Sequence, residues 1–110
     1  MYVIPFNGVS SYSPYGLLNA SLYFLTLVKQ YLIEHKQQME TQELLDVYIR
    51  EKDGISVMFI LKPDCKPDYD YWEKTVEEVR EYGAEFVSVF LKDDPLLKIG
   101  GGLTKFNFLL

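Results

Sequence analysis

The dipeptide Asp53-Gly54 constrains this chain more than any other pair of residues. It lies between two apolar runs, at 47–50 and 55–61. A turn of that composition joins neighbouring antiparallel strands. An all-parallel doubly wound sheet is thereby excluded, because parallel strands need a long crossover between them. A two-residue turn also sets a register. Arg50 then faces Val57, Ile49 faces Met58, Tyr48 faces Phe59 and Val47 faces Ile60. Strand alternation sorts these side chains. Val47, Ile49, Met58 and Ile60 are expected on one face, and Tyr48, Arg50, Val57 and Phe59 on the other.

The remaining elements follow from periodicity and punctuation. Residues 2–6 read as a short first strand limited by Pro5, and residues 7–12 as a turn-rich loop. Ser13-Pro14 is a helix start, because serine can accept from free first-turn amides and proline needs no partner there. Leu18, Leu22, Leu25, Val28 and Leu32 follow at helical spacing, with Leu17, Phe24, Leu27 and Tyr31 on an adjacent face. This predicts a deeply packed helix running to about Lys36 or Met39. A second helix is expected from Asp70, with Glu73 completing a capping-box variant, and with Trp72, Val76, Val79 and Tyr82 as its buried stripe. Gly83 suits the residue just past its end. Residues 84–91 read as a strand with Val87, Val89 and Leu91 on one side and Phe86, Ser88 and Phe90 on the other. Gly100-Gly101-Gly102 makes a bend, and 105–108 a last short strand.

The order of elements is strand, helix, strand, strand, helix, strand. The expected fold is α+β, a βαββαβ ferredoxin-like (split βαβ) two-layer sandwich. Its sheet is mainly antiparallel, with two helices on one face and a short C-terminal extension. At 110 residues and 12.8 kDa this is one domain, with a core over 1–94 and a glycine-rich bend and tail over 95–110. Fold does not give function, so the surfaces must be read for themselves.

The expected uncovered sheet face gathers Tyr48, Phe59, Phe86, Phe90 and Val57, with Ile55 beside them and Tyr2 and Phe6 from the first strand. Burying one such side chain is worth about 1.5–3 kcal/mol, so a face like this meets something. Its expected occupants are the tail (through Leu103, Phe106, Phe108 and Leu109), a second copy of the chain, or a ligand.

Charge is concentrated as well. Residues 64–85 hold eight acids against three bases, an excess equal to the whole net charge of −5. Glu73, Glu77 and Glu81 recur at four-residue spacing and form one negative stripe on the second helix, with Lys74 and Arg80 placed to offset neighbouring glutamates. One reading of that stripe is a solvated face. The sharper one is a docking surface for a basic protein.

Other chemistries find little support. No basic run provides the footprint of nucleic-acid binding, and the strand at 54–61 lacks the basic start and paired aromatics of an RRM-type module. The glycine triplet lacks the spacing and context of a phosphate loop. Asp64, Cys65, Asp68 and Asp70 crowd one loop without a calcium-loop pattern. One cysteine makes neither an intrachain disulfide nor a zinc site, and its thiolate is disfavoured beside aspartates. His35 is expected to face solvent. With Arg50 and Arg80 as the only arginines, anion-handling catalysis is not expected. The first residues lack a secretory pattern, and the apolar stretch at 17–33 is too short and polar for a membrane span.

The expectation is a small acidic cytoplasmic binding protein without catalysis, cofactor or metal. It would be a protein–protein interaction or accessory factor whose partner is a second copy or a basic protein. The alternatives are a small-ligand-sensing regulatory dimer and an RRM-like nucleic-acid binder.

Overall fold

The computed structural model describes residues 14–108, with side chains described from Leu22 onward. The elements are α1 (Pro14–Thr41), β1 (Leu44–Arg50), β2 (Ser56–Leu61), α2 (Tyr69–Glu81), β3 (Phe86–Leu91) and β4 (Thr104–Lys105). The strands form one mixed sheet in the order β3-β2-β1-β4. β1 pairs antiparallel with both β2 and β4, and β2 pairs parallel with β3. Both helices contribute to one core with the same sheet face, so the molecule is a two-layer α+β sandwich.

α1 has buried positions at Leu25, Val28, Tyr31, Leu32 and Met39. They span about 21 Å of helix axis at 1.5 Å per residue, close to the length of a six- or seven-residue strand. Leu22, expected on the buried stripe, is 56% exposed because it precedes that span. The expected strand at 2–6, and the side chains of Leu17 and Leu18, lie outside the described residues. The N-cap of α2 lies two residues earlier than expected. Asp68 is its N-cap and accepts from the Tyr71 N–H at 3.1 Å, while Asp70 sits in the first turn, where a negative charge suits the helix dipole. Trp72 and Val79 are buried as expected, joined by Thr75. The Trp72 Nε1–H donates to the Gln42 carbonyl at 3.1 Å, tying α2 to the end of α1 without orphaning the indole. Gly83 has φ +123, and a Cβ there would lie 2.5 Å from the Phe24 Cβ, so α1 and the exit from α2 meet where only glycine fits.

Two expectations are corrected. The first is the split. A split βαβ keeps another strand between the two strands that flank its helix. Here β2 and β3 are direct neighbours, from Ser56↔Phe86 to Leu61↔Leu91. The second is the hairpin register. The last β1–β2 pair is Arg50↔Ser56, so five residues, 51–55, make the connection instead of two. Asp53 and Gly54 do take positive φ there. Ile55, however, leaves the ladder. Its side chain enters the core, and its carbonyl accepts from the N–H groups of both Glu85 and Phe86, at 2.8 and 3.2 Å. Ile49 therefore faces Val57, Tyr48 faces Met58 and Val47 faces Phe59. A slip of one residue reverses every side chain of a strand. Val57 and Phe59 lie beneath the helices, and the Phe59 ring is 5.2 Å from that of Trp72. Met58 and Ile60 face the other way. The expected alternation of β3 holds: Val87, Val89 and Leu91 pack on the core.

β4 runs parallel to β3, from the opposite edge of the sheet. Parallel crossovers are right-handed, and α2 already occupies the helix face on the way from β2 to β3. The return from β3 to β4 therefore crosses the outer face. The positions of Gly101 and Leu103, near the outer-face residue Arg50, agree with this path. Phe106 and Phe108, from the tail, one of three expected occupants of that face, instead pack on the helix-side core. The Phe106 N–H donates to the Val47 carbonyl at 2.8 Å, and Lys36 Nζ lies 5.9 Å from the Phe108 ring centroid.

This register makes a measurable prediction. Phe59→Ala should cost about 3–5 kcal/mol in urea unfolding, as for a buried phenylalanine. Phe86→Ala, on the outer face, should cost under about 1 kcal/mol. The reverse ranking would restore the two-residue turn.

Candidate functional site

The outer sheet face is a grid of three rows, set by the register. Phe90, Ile60 and Asp46 make one row. Ser88, Met58, Tyr48 and Lys105 make the next, and Phe86, Ser56 and Arg50 the third. Of the five residues expected to form a sheet-face site, Tyr48, Phe86 and Phe90 are on this face. Val57 and Phe59 are not, for the reason given by Ile55, which is itself in the core. The face is also less open than expected. Ile60 is wholly buried although it lies outside the helix-side core, and Gly101 and Gly102 close on Arg50. Phe86 is 55% exposed. Asp46 and Lys105 pair at 3.0 Å, and the carboxylate raises the pKa of the ammonium.

A shallow groove of about 290 Å³ opens beside the third row. Its lining runs from Arg50 across the starts of β2 (Ser56, Val57, Met58) and β3 (Phe86, Val87, Ser88) to Leu103 and to Arg80 from the last turn of α2. Arg50 donates through Nη1 to the Gly101 carbonyl at 3.4 Å and through Nη2 to Ser56 Oγ at 3.3 Å. Its Nε is buried without a partner. Neither arginine forms an ion pair among the described residues. Two arginines in 110 residues give no local signal for anion binding. The signal that could have found them is the row itself, which becomes visible only once Arg50, Ser56 and Phe86 are known to be neighbours.

The acidic helix stands as expected in one respect. Glu73, Glu77 and Glu81 are all exposed. The expected offsets from Lys74 and Arg80 do not form, and no carboxylate of this stripe is ion-paired among the described residues. Helical geometry places Glu73, Glu77 and Arg80 on the flank of α2 turned away from α1, over the β3 side of the sheet.

The opposite flank of α2 carries a polar clasp. The Tyr31 hydroxyl donates to Glu78 Oε1 at 2.6 Å, and the Tyr31 ring meets that of Tyr82 edge-on at 5.1 Å. His35 does not stand free in solvent. It is half-buried and stacks on Tyr31 with centroids 4.0 Å apart, while its Nδ1–H donates to the Tyr31 carbonyl at 2.8 Å. A carbonyl only accepts, so that contact assigns the ring proton to Nδ1. Burial, followed by the hydrogen bond to Glu78, pushes the Tyr31 phenol well above its usual value. Burial raises Tyr71 as well. Burial first, and then the Glu43 carboxylate, push the Cys65 thiol up, which keeps it protonated and slow as a nucleophile.

Among the described residues, no three His, Cys, Asp or Glu side chains converge to hold a metal, and no helix is long and apolar enough to cross a membrane. Comparison with protein-family models, with curated proteins and with solved structures returns no match. The site has to be read from its own chemistry.

The clasp yields a prediction with a defined sign. A phenol whose pKa rises on folding contributes stability that is complete below its unfolded value of about 10 and is lost as pH climbs beyond that. Tyr31→Phe should therefore lower unfolding free energy by about 1.5–3 kcal/mol at pH 7, the range for a hydrogen bond to a charged group. The gap from wild type should narrow above pH 10. A gap that stays constant through pH 11 would contradict the assignment.

Proposed function

We propose that this protein is a non-catalytic binding module that captures an extended basic segment of another protein along the free edge of β3. The observation that carries this reading is the combination of an unprotected strand edge with unpaired acids beside it. β3 reads Phe-Val-Ser-Val-Phe-Leu, with no charge and no proline, and ends the sheet among the described residues. Natural edges are usually blunted by such residues, so an edge without them is a template for pairing. The N–H groups of Phe86 and Lys92 donate to the Ile55 and Leu61 carbonyls of the neighbouring strand. Val87, Val89 and Leu91 therefore turn their backbone groups to the free side.

A partner strand would add there by main-chain hydrogen bonding, with alternate side chains meeting Phe86 and Phe90 on the outer face. Glu73 and Glu77 would attract its basic residues and speed the encounter. Charge argues against a second copy in that place, since two acidic α2 flanks would be brought together. A basic partner is thus favoured over a homodimer.

The test is anisotropy titration with a labelled peptide of alternating lysine and valine, set against a glutamate–valine control. The basic peptide should bind saturably, with an on-rate that falls as salt rises. Glu73→Lys with Glu77→Lys should reduce that on-rate at least tenfold at low salt. Val89→Pro, which removes a free-edge donor but no β2–β3 hydrogen bond, should abolish saturation. Equal binding of both peptides, or indifference to these substitutions, would refute the proposal.

A further inference from the structure

Sixteen acids and eleven Lys and Arg residues give this chain its excess of negative charge, yet the groove on the outer face has no carboxylate in its lining and holds both of the chain's arginines. We propose that this groove binds a small organic anion, a carboxylate or phosphate carried on a flat apolar ring. Phe86 serves both this groove and the basic-segment reading, but the groove's donors, Arg50, Arg80, Ser56 and Ser88, take no part in that reading, which rests on the free edge and the glutamates.

The donors fit an oxyanion. The two hydrogen bonds of Arg50, at 3.3 and 3.4 Å, exceed the usual N–H···O range of about 2.7–3.2 Å, and its Nε has no partner. The guanidinium is thus under-satisfied where it lies. A carboxylate or phosphate oxygen would give it short, charge-assisted bonds, and guanidinium geometry suits either group in a two-point contact. The glycine bend holds this side chain. Gly102 has φ +91, and a Cβ there would be 3.4 Å from Arg50 Cδ, so the backbone rests on the arginine stem. Arg80 brings a second fork from α2 and forms no ion pair with the glutamates of its own helix among the described residues. Ser56 Oγ already accepts from Arg50, which leaves its proton free to donate into the groove, and Ser88 adds another hydroxyl.

The apolar half of the ligand follows from the rest of the lining. Phe86 is a half-exposed ring next to Met58 and Leu103, an apolar wall beside the cations. The volume, about 290 Å³, is just below the range of about 300–1,000 Å³ typical of ligand pockets. One ring with one anionic group suits it.

Amide NMR titration of the full chain would test this with phenyl phosphate, benzoate, inorganic phosphate and benzyl alcohol. Phenyl phosphate and benzoate should shift amides at 56–58 and 86–88 saturably, and both at least tenfold more tightly than inorganic phosphate or benzyl alcohol. Arg80→Ala should weaken binding at least tenfold. Arg50→Lys, which keeps the charge but loses the fork, should do the same, with amides at 25–39 unmoved as a check on the fold. Absence of saturable shifts, shifts centred elsewhere, wild-type affinity in either variant, or equal binding of inorganic phosphate or benzyl alcohol would overturn the proposal. The alternating lysine–valine peptide has its own readout, so either reading can fail alone.

Discussion

Ile55 holds the arrangement together. Its side chain is in the core, and its carbonyl takes the amides of Glu85 and Phe86, where the third strand begins. That one residue ends the antiparallel hairpin ladder and starts the parallel one. It lengthens the turn to five residues, which brings Val57 and Phe59 under the helices and turns Ser56, Met58 and Ile60 outward. It also fixes β3 directly against β2, and so leaves no room for a strand between them. The three-row grid of the outer face, and the meeting of Arg50 with Ser56 and Phe86, descend from the same contact.

The two faces of the sheet are held by different physics. On the helix side, burial dominates. Phe59, Trp72, Leu32 and Val79 exclude water, and the Trp72 indole and the Tyr31 hydroxyl each find an acceptor as they do so. On the outer side the connection back to β4 supplies a partial cover. It buries Arg50 enough to orphan one nitrogen, without giving that arginine a carboxylate. Electrostatics is divided in the same way. Among the described residues, acids without an ion pair occupy the solvent flank of α2, and arginines without one gather at the end of the sheet. The ion pairs that do form among the described residues, such as Asp46–Lys105 at 3.0 Å, draw on neither of these two groups.

Much of the fold was legible from local signals. The helix at Leu25–Met39 follows from apolar spacing. The faces of β3 follow from alternation, and the end of α2 at Gly83 from the need for a positive φ. The cap was missed by two residues because Asp68 and Asp70 are both good caps, and only the path of the chain selects between them. The candidate site was legible by half. Tyr48, Phe86 and Phe90 were placed on the correct face, whereas Val57 and Phe59 were placed on the wrong one by a single step of register. His35 was misread because a stacking partner four residues earlier, Tyr31, was counted only as core.

What the sequence determined by itself was whatever depends on near neighbours: the helical stripes, the alternation within each strand, the antiparallel turn and the clustering of acids on α2. Those are local because propensity, period and turn chemistry act over a few residues. What only the tertiary structure decided was which residue the turn gives up to the core, which strand lies beside which, and that Arg50 and Arg80, thirty positions apart in sequence, line one groove. Each of these depends on competition between distant groups for the same buried space, and a linear pattern does not record which contact wins.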